Sequence, residues 1–132
     1  MTTKSINALI VEDDPSSAEA LAETLALYDI MTTSLPDAEQ ALSQIAREQP
    51  DVLLVDIWLA GPMTGLDLLT SLRRHVTASQ IPAVAISAFM DEQMAYDLRR
   101  EGFAACFRKP FEIDKIIAVI DDLIPGRAWV ER

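Results

Sequence analysis

At 132 residues, half of them hydrophobic, the chain suits a single domain with a sizeable core. A net charge of −10 argues against a nucleic-acid surface, which a phosphate backbone would repel, and fits basic partners or a site that concentrates cations. A lone cysteine, Cys106, excludes an internal disulfide framework; no apolar run is long enough to span a membrane, and Met1 to Asn7 lack the apolar centre of a signal peptide, so a cytoplasmic protein is expected.

In chain order, Ala8-Leu9-Ile10-Val11 predicts a buried strand, and it ends in Glu12-Asp13-Asp14-Pro15. Pro15 suits the first position of a helix, with Asp14 as its cap, and Ala18, Leu21, Ala22 and Leu25 fall on one helical face. Ile30 to Ser34 is a Thr-rich strand expected at an edge. Pro36-Asp37 opens a second helix whose apolar face is Ala38, Ala41, Leu42, Ile45 and Ala46, and Pro50 stops it. Asp51-Val52-Leu53-Leu54-Val55-Asp56 is apolar on four consecutive residues, as a strand covered on both faces must be, and it closes on a carboxylate.

Gly61, Pro62 and Gly65 punctuate the next loop, and a third helix is expected from about Leu66 to His75, packing Leu68, Leu69, Leu72 and Val76. A fourth strand covers Ile81 to Ser87, with Pro82 tolerable only near its start. Asp91 caps a fourth helix through Met94, Ala95 and Leu98, ended by Gly102. Phe103 to Arg108 forms a fifth strand, followed by Lys109-Pro110-Phe111. The last helix carries Ile113, Ile116, Ile117 and Ile120 and stops at Pro125-Gly126. Five βα units in regular alternation call for an α/β fold: a flavodoxin-like, doubly wound parallel sheet of five strands in the order 2-1-3-4-5, with five helices on its two faces. Residues 1–132 are read as one domain, with a core of about 6–124 and a short tail over 125–132.

The polar residues fall at the strand ends. Glu12 and Asp13 follow the first strand, Asp56 ends the third, Ser87 the fourth, and Lys109 follows the fifth. In this strand order the first and third strands flank the point where connections switch direction and a crevice opens. Carboxylates packed there repel one another unless a cation joins them, and Mg²⁺ is the natural one, since it takes few protein carboxylates and accepts phosphate oxygens. Asp56 can then act as a nucleophile toward phosphorus, with Lys109 as a point charge and Ser87 as a hydrogen-bond donor to the transferred group. Taken singly, an Asp after a strand is most often a turn residue. Here four strands each end in a residue suited to one task.

Leu9-Ile10-Val11-Glu12-Asp13-Asp14-Pro15, Leu54-Val55-Asp56-Ile57, Pro82-Ala83-Val84-Ala85-Ile86-Ser87-Ala88 and Arg108-Lys109-Pro110-Phe111, in this order, resemble the receiver domain of bacterial two-component response regulators, of the stand-alone type similar to the chemotaxis regulator. The resemblance implies that Asp56 accepts a phosphoryl group from a histidine kinase or a histidine phosphotransfer protein. It implies Mg²⁺ on Asp13, Asp56 and the backbone carbonyl of Trp58, with Glu12 acting through water. It implies that Ser87 and Lys109 contact the phosphoryl oxygens. The output is expected to be protein–protein, toward an unknown partner, from a monomer or from a homodimer through the fourth helix, fifth strand and fifth helix. A receiver of this kind is an autocatalytic phosphoryl acceptor that dephosphorylates itself, not a conventional enzyme.

Three departures from the family pattern stand out. Cys106 occupies the place of the aromatic switch residue three before the Lys, and strand alternation sends Phe107 to the opposite face. Cys106 is read as a small buried hydrophobe rather than a redox sensor. The loop from Asp56 to Gly65 is one residue longer than usual. Trp58 and Phe89 stand two residues past the acceptor and two past the hydroxyl, positions that influence the access of water. Their bulk predicts slow self-dephosphorylation, against the alternative that both rings merely cap apolar surface. His75, the single histidine, lies in Arg73-Arg74-His75 at a helix end and is read as a surface residue. Trp129 is either loose or packed on the last helix.

Two other phosphate-related readings are weaker, and a third retains the fold without the chemistry. A flavodoxin-like cofactor binder would want a Gly- and Ser-rich phosphate loop where Glu12-Asp13-Asp14 stands. A hydrolase with an Asp nucleophile would place a second Asp where Trp58 stands. A receiver that interacts without being phosphorylated remains the third.

Overall fold

The computed structural model describes residues 5–75 and 78–125. The elements are β1 (Ile6–Val11), α1 (Pro15–Ala26), β2 (Ile30–Leu35), α2 (Ala38–Arg47), β3 (Val52–Asp56), α3 (Gly65–Arg73), β4 (Ala83–Ser87), α4 (Glu92–Glu101), β5 (Ala105–Arg108) and α5 (Ile113–Leu123). The strands form one parallel sheet in the order β2-β1-β3-β4-β5, as expected.

Alternation along the inner strands divides the core in two. Leu9, Val11, Leu53, Val55, Ala83 and Ala85 face the layer of α2, α3 and α4. Ile10, Val52, Leu54, Val84 and Ile86 face α1 and α5, where they meet Leu25, Ile116 and Ile120. Both faces are covered, which is why β1, β3 and β4 read as unbroken apolar runs. Each enclosed Leu or Ile side chain of these layers contributes roughly 1.5–3 kcal/mol. The edge strand β2 buries Ile30 but exposes Met31, Thr33 and Ser34, in keeping with its Thr-rich composition.

The helix starts follow from their caps. The side chains of Asp14, Asp37 and Asp91 accept backbone N–H groups of the first turns of α1, α2 and α4. Thr64 and Asp67 form a reciprocal capping box that starts α3 at Gly65, one residue earlier than expected; the helix ends at Arg73, two residues earlier, and Val76 lies outside the described residues. Ala46 is exposed rather than on the inner face of α2, because the buried line is Ala38, Ala41 and Ile45 and the next residue turns toward solvent. The fifth strand begins at Ala105, not Phe103. Gly102, at φ 122°, closes α4, and the Phe103 N–H is spent on the Leu98 carbonyl. Pro82 precedes β4, where its missing N–H is harmless and its carbonyl accepts from Leu53 N–H at 2.9 Å.

Candidate functional site

The parallel sheet brings the carboxyl ends of β1, β3, β4 and β5 to one rim. Glu12 and Asp13 follow β1 directly, and the Glu12 N–H donates to the Leu35 carbonyl at 3.0 Å, which fixes the chain where it leaves the sheet. Asp56 is the last residue of β3. Its Oδ1 accepts from the Trp58 N–H at 3.0 Å, while Asp13 Oδ2 accepts from the Ala60 N–H at 3.1 Å and ties the first loop to the third. The carboxylates of Glu12, Asp13 and Asp56 each offer an oxygen within 4.8 Å of the others. Lys109, just past β5, sends its ammonium between them: it donates to Glu12 Oε1 in close contact and lies 3.5 Å from Asp56 Oδ2. Its backbone N–H donates to the Ser87 carbonyl at 2.8 Å, so the ends of β4 and β5 are held together there.

Gly65 is the residue that lets α3 start this close to Asp56. A Cβ on it would stand 2.5 Å from the Asp56 carbonyl oxygen and 2.9 Å from the Ile57 Cα, closer than any side chain tolerates. Its own N–H donates to the Ile57 carbonyl at 3.0 Å. From the sequence, Gly65 reads as loop punctuation. Its place inside a Thr-x-x-Asp capping box, directly after Thr64 and two before Asp67, marks it as the first helical residue.

The charges at the rim are unevenly matched. Burial lifts the Glu12 carboxyl to about 7; the hydrogen bond from Lys109 opposes this, and the neighbouring Asp56 adds to it. For Lys109, burial works to lower the ammonium pKa but is outweighed by the hydrogen bond to Glu12 and the charge of Asp56, so the pKa is raised and the group stays charged. Asp14 is not part of this cluster. The Ser17 hydroxyl donates to it at 2.7 Å and lowers its pKa, which suits a helix cap.

The donor set fits a small divalent cation. It consists of oxygens alone, from carboxylates on two adjacent strand ends, and one ammonium cannot balance three carboxylates. Beside the cluster a cavity of about 470 Å³ opens between α1 and α5. Leu21, Phe111 and Ile113 give it apolar walls, and Glu12, Asp56 and Lys109 form its polar end.

The β4 side of the rim is arranged differently. Ser87 is fully buried, and its hydroxyl is engaged within its own loop. It accepts from the Phe89 N–H at 3.1 Å and lies 3.4 Å from the Phe89 carbonyl, to which it donates. In this conformation it is not joined to the carboxylates. The Trp58 indole N–H also donates to the Phe89 carbonyl, at 3.2 Å. Both rings stand at the rim, Trp58 54% and Phe89 76% exposed, so the Phe89 ring covers little of the site here. Cys106 packs with the α4 layer, its Sγ 3.7 Å from the Ala95 carbonyl, and burial raises its thiol pKa. Phe107 packs with the α1–α5 layer, the opposite face, as strand alternation requires. His75 is exposed beyond the end of α3. Gly126 and Trp129 lie outside the described residues.

A family model described as the response regulator receiver domain matches residues 8–121. The chain belongs to that family. Receivers are signalling modules that take phosphoryl groups from kinases, not conventional enzymes. This receiver is 30% identical to the nitrogen assimilation regulatory protein NtrX of Azorhizobium caulinodans over 114 residues, which are 86% of this chain and 25% of that protein. The chain thus spans about a quarter of the length of that curated relative. A proposed response regulator from Chloroflexus aurantiacus superposes with a TM-score of 0.86 at 27% identity, covering 92% of this chain and 99% of that one. The BeF₃-activated receiver domain of Klebsiella pneumoniae RstA superposes at 0.77 with 28% identity, over 85% and 92% of the two chains. Among the described residues, no helix is long and apolar enough to cross a membrane.

Proposed function

We propose that Asp56 is the phosphoacceptor of this receiver and that its donor is a phosphohistidine of a histidine kinase or a histidine phosphotransfer protein. The observation that carries this reading is the reach of Lys109 from the end of β5 to both Glu12 and Asp56, with Asp13 in the same cluster. Three chain segments far apart in sequence, ending β1, β3 and β5, meet where a phosphoryl group would need them.

In the transfer, an Asp56 carboxylate oxygen attacks phosphorus, the phosphorus–nitrogen bond to the donor imidazole breaks, and the imidazole keeps the electron pair and takes a proton from solvent. The product is an acyl phosphate on Asp56. The Trp58 N–H on Oδ1 fixes the carboxylate plane, leaving the other oxygen toward Lys109. Lys109 supplies positive charge to the transferring oxygens, at the cost of its contact with Glu12. Ser87 must leave its bonds to Phe89 to donate to the phosphoryl group. Mg²⁺ would be held by Asp13, Asp56 and the Trp58 carbonyl, with Glu12 through water, and when bound it neutralises the charge gathered between carboxylates and phosphoryl oxygens. The cavity between α1 and α5 supports approach of a donor from that side.

We further propose that the chain acts as one receiver unit whose output is contact with another protein, as a monomer or as a homodimer through α4, β5 and α5. Incubation with acetyl phosphate and Mg²⁺ tests the site. Intact mass should show one added phosphoryl group, labile to hydroxylamine, in the wild type and none in Asp56→Asn. A wild type that stays unmodified would leave a phosphorylation-independent interaction module as the better reading.

A further inference from the structure

Cys106 stands where the family pattern places an aromatic ring that follows the hydroxyl, so what holds and releases Ser87 must be sought in its other contacts. A continuous chain of hydrogen bonds is visible on the other side of Ser87. Asp56 Oδ1 accepts from the backbone N–H of Trp58. The indole N–H of the same residue donates to the Phe89 carbonyl across the rim, 31 residues away in sequence. That carbonyl also accepts from the Ser87 hydroxyl, which in turn accepts from the Phe89 N–H. Resting on the reading of Asp56 as phosphoacceptor, we propose that Trp58 is a positioning residue whose indole clasps the β4–α4 loop in the resting arrangement, and that the clasp opens when Asp56 is phosphorylated.

The geometry explains why the clasp opposes activation. Ser87 is enclosed, and its hydroxyl has both its donor and its acceptor engaged on Phe89. To reach a phosphoryl oxygen it must give up both bonds, and the turn from Ser87 to Phe89 is then free to open. Opening that turn moves the Phe89 carbonyl, which the indole holds in place from a residue whose own backbone N–H is bound to Asp56. Phe89 presents its ring to solvent, so the loop is held here through its backbone rather than by packing of that side chain. A tryptophan supplies a donor at the needed reach, whereas a phenylalanine of similar bulk supplies none. The device therefore predicts a difference between Trp and Phe that a purely space-filling role would not show.

The test is the affinity for beryllofluoride with Mg²⁺, a phosphoryl mimic, in the full chain. Half-saturation should fall about three- to tenfold in Trp58→Phe, the range expected for loss of one hydrogen bond that stabilises only the resting state. In a Ser87→Ala background, where the hydroxyl no longer needs releasing, the same substitution should have an effect of less than about twofold, a coupling read by the double-mutant cycle. In the wild type, the Trp58 indole proton resonance, assigned by its loss in Trp58→Phe, should shift and exchange faster with solvent on adding beryllofluoride. Equal half-saturation in wild type and Trp58→Phe, or an indole resonance that beryllofluoride leaves unmoved, overturns the clasp while leaving Asp56 as acceptor. No saturation in the wild type, matching Asp56→Asn, overturns the acceptor reading and the clasp with it.

Discussion

The two halves of the rim are built from different forces. At β1 and β3, charge dominates: three carboxylates gather, and one ammonium delivered from the end of β5 reaches two of them. At β4, the bonds join neutral groups, and apart from the indole they stay within three residues: a hydroxyl, a backbone amide and a carbonyl. The charged half is suited to receive a phosphoryl group, because its arrangement leaves negative charge unbalanced until a cation arrives. The neutral half is suited to report the event, because bonds of about 1 kcal/mol each can be exchanged without unfolding anything. The contrast suggests that substitutions in the first half should abolish the reaction, and those in the second should retune it.

The largest effect should come from Asp56→Asn, which removes the proposed nucleophile and should reduce phosphorylation by acetyl phosphate to background on intact mass. Lys109→Met should slow phosphorylation by roughly 10²- to 10³-fold, the usual consequence of losing one stabilising donor, while leaving Asp56 in place. If Lys109→Met instead reacted within a few-fold of wild type, the charge-based account of that half would fail.

Acidity gives a third test. Glu12, raised by burial to about 7, is protonated in the folded protein at pH values where the unfolded chain, at 4.5, has already ionised. From this group alone, stability falls as pH rises from about 4.5 to about 7 and is level beyond it. Mg²⁺ favours the ionised carboxyl, so its affinity should weaken below about pH 7, by at most about tenfold per unit for one linked proton. Titration calorimetry at pH 6 and pH 8, in buffers of different ionisation heat, should show proton release at the lower pH in the wild type and none in Glu12→Gln.

Gly65→Ala should destabilise the fold by about 1–3 kcal/mol, since backbone rather than a flexible side chain meets the new methyl group. Denaturant unfolding reads this directly, and an unchanged midpoint would mean that α3 can shift away from Asp56 freely. The smallest effect belongs to a residue outside both halves of the rim, on the β5 face toward α4. Cys106→Ala should cost less than about 1.5 kcal/mol and leave phosphorylation rates within about twofold, because the side chain is a half-buried filler against α4. A large loss of phosphorylation-dependent response in this variant would restore Cys106 to the signalling route.

What could be read beforehand divides along the same line. The strand order and the residues that meet at the charged rim were legible, because apolar runs covered on both faces have few alternatives and each run ended in an ionisable group. Asp14, Asp37 and Asp91 marked three helix starts for the same reason: a cap is a local event. The neutral half was not legible. Nothing in Ser87-Ala88-Phe89 tells which way the hydroxyl turns, since its partners are backbone atoms of its own loop. That Trp58 reaches Phe89 depends on two loops lying side by side, a tertiary fact that bulk and hydrophobicity do not encode. Ala46 was misplaced by a single helical step, where the wide apolar stripe of α2 left its edge undefined.

The ion pair between Glu12 and Lys109 joins residues 97 positions apart. During synthesis the acidic residues emerge first, and the cation that partners them comes from the last strand to form. Until then the nascent chain holds Asp56 without that charge. The reactivity proposed for Asp56 is thereby tied to completion of the sheet, and a polypeptide interrupted after β4 would compete only weakly with intact copies for phosphoryl groups.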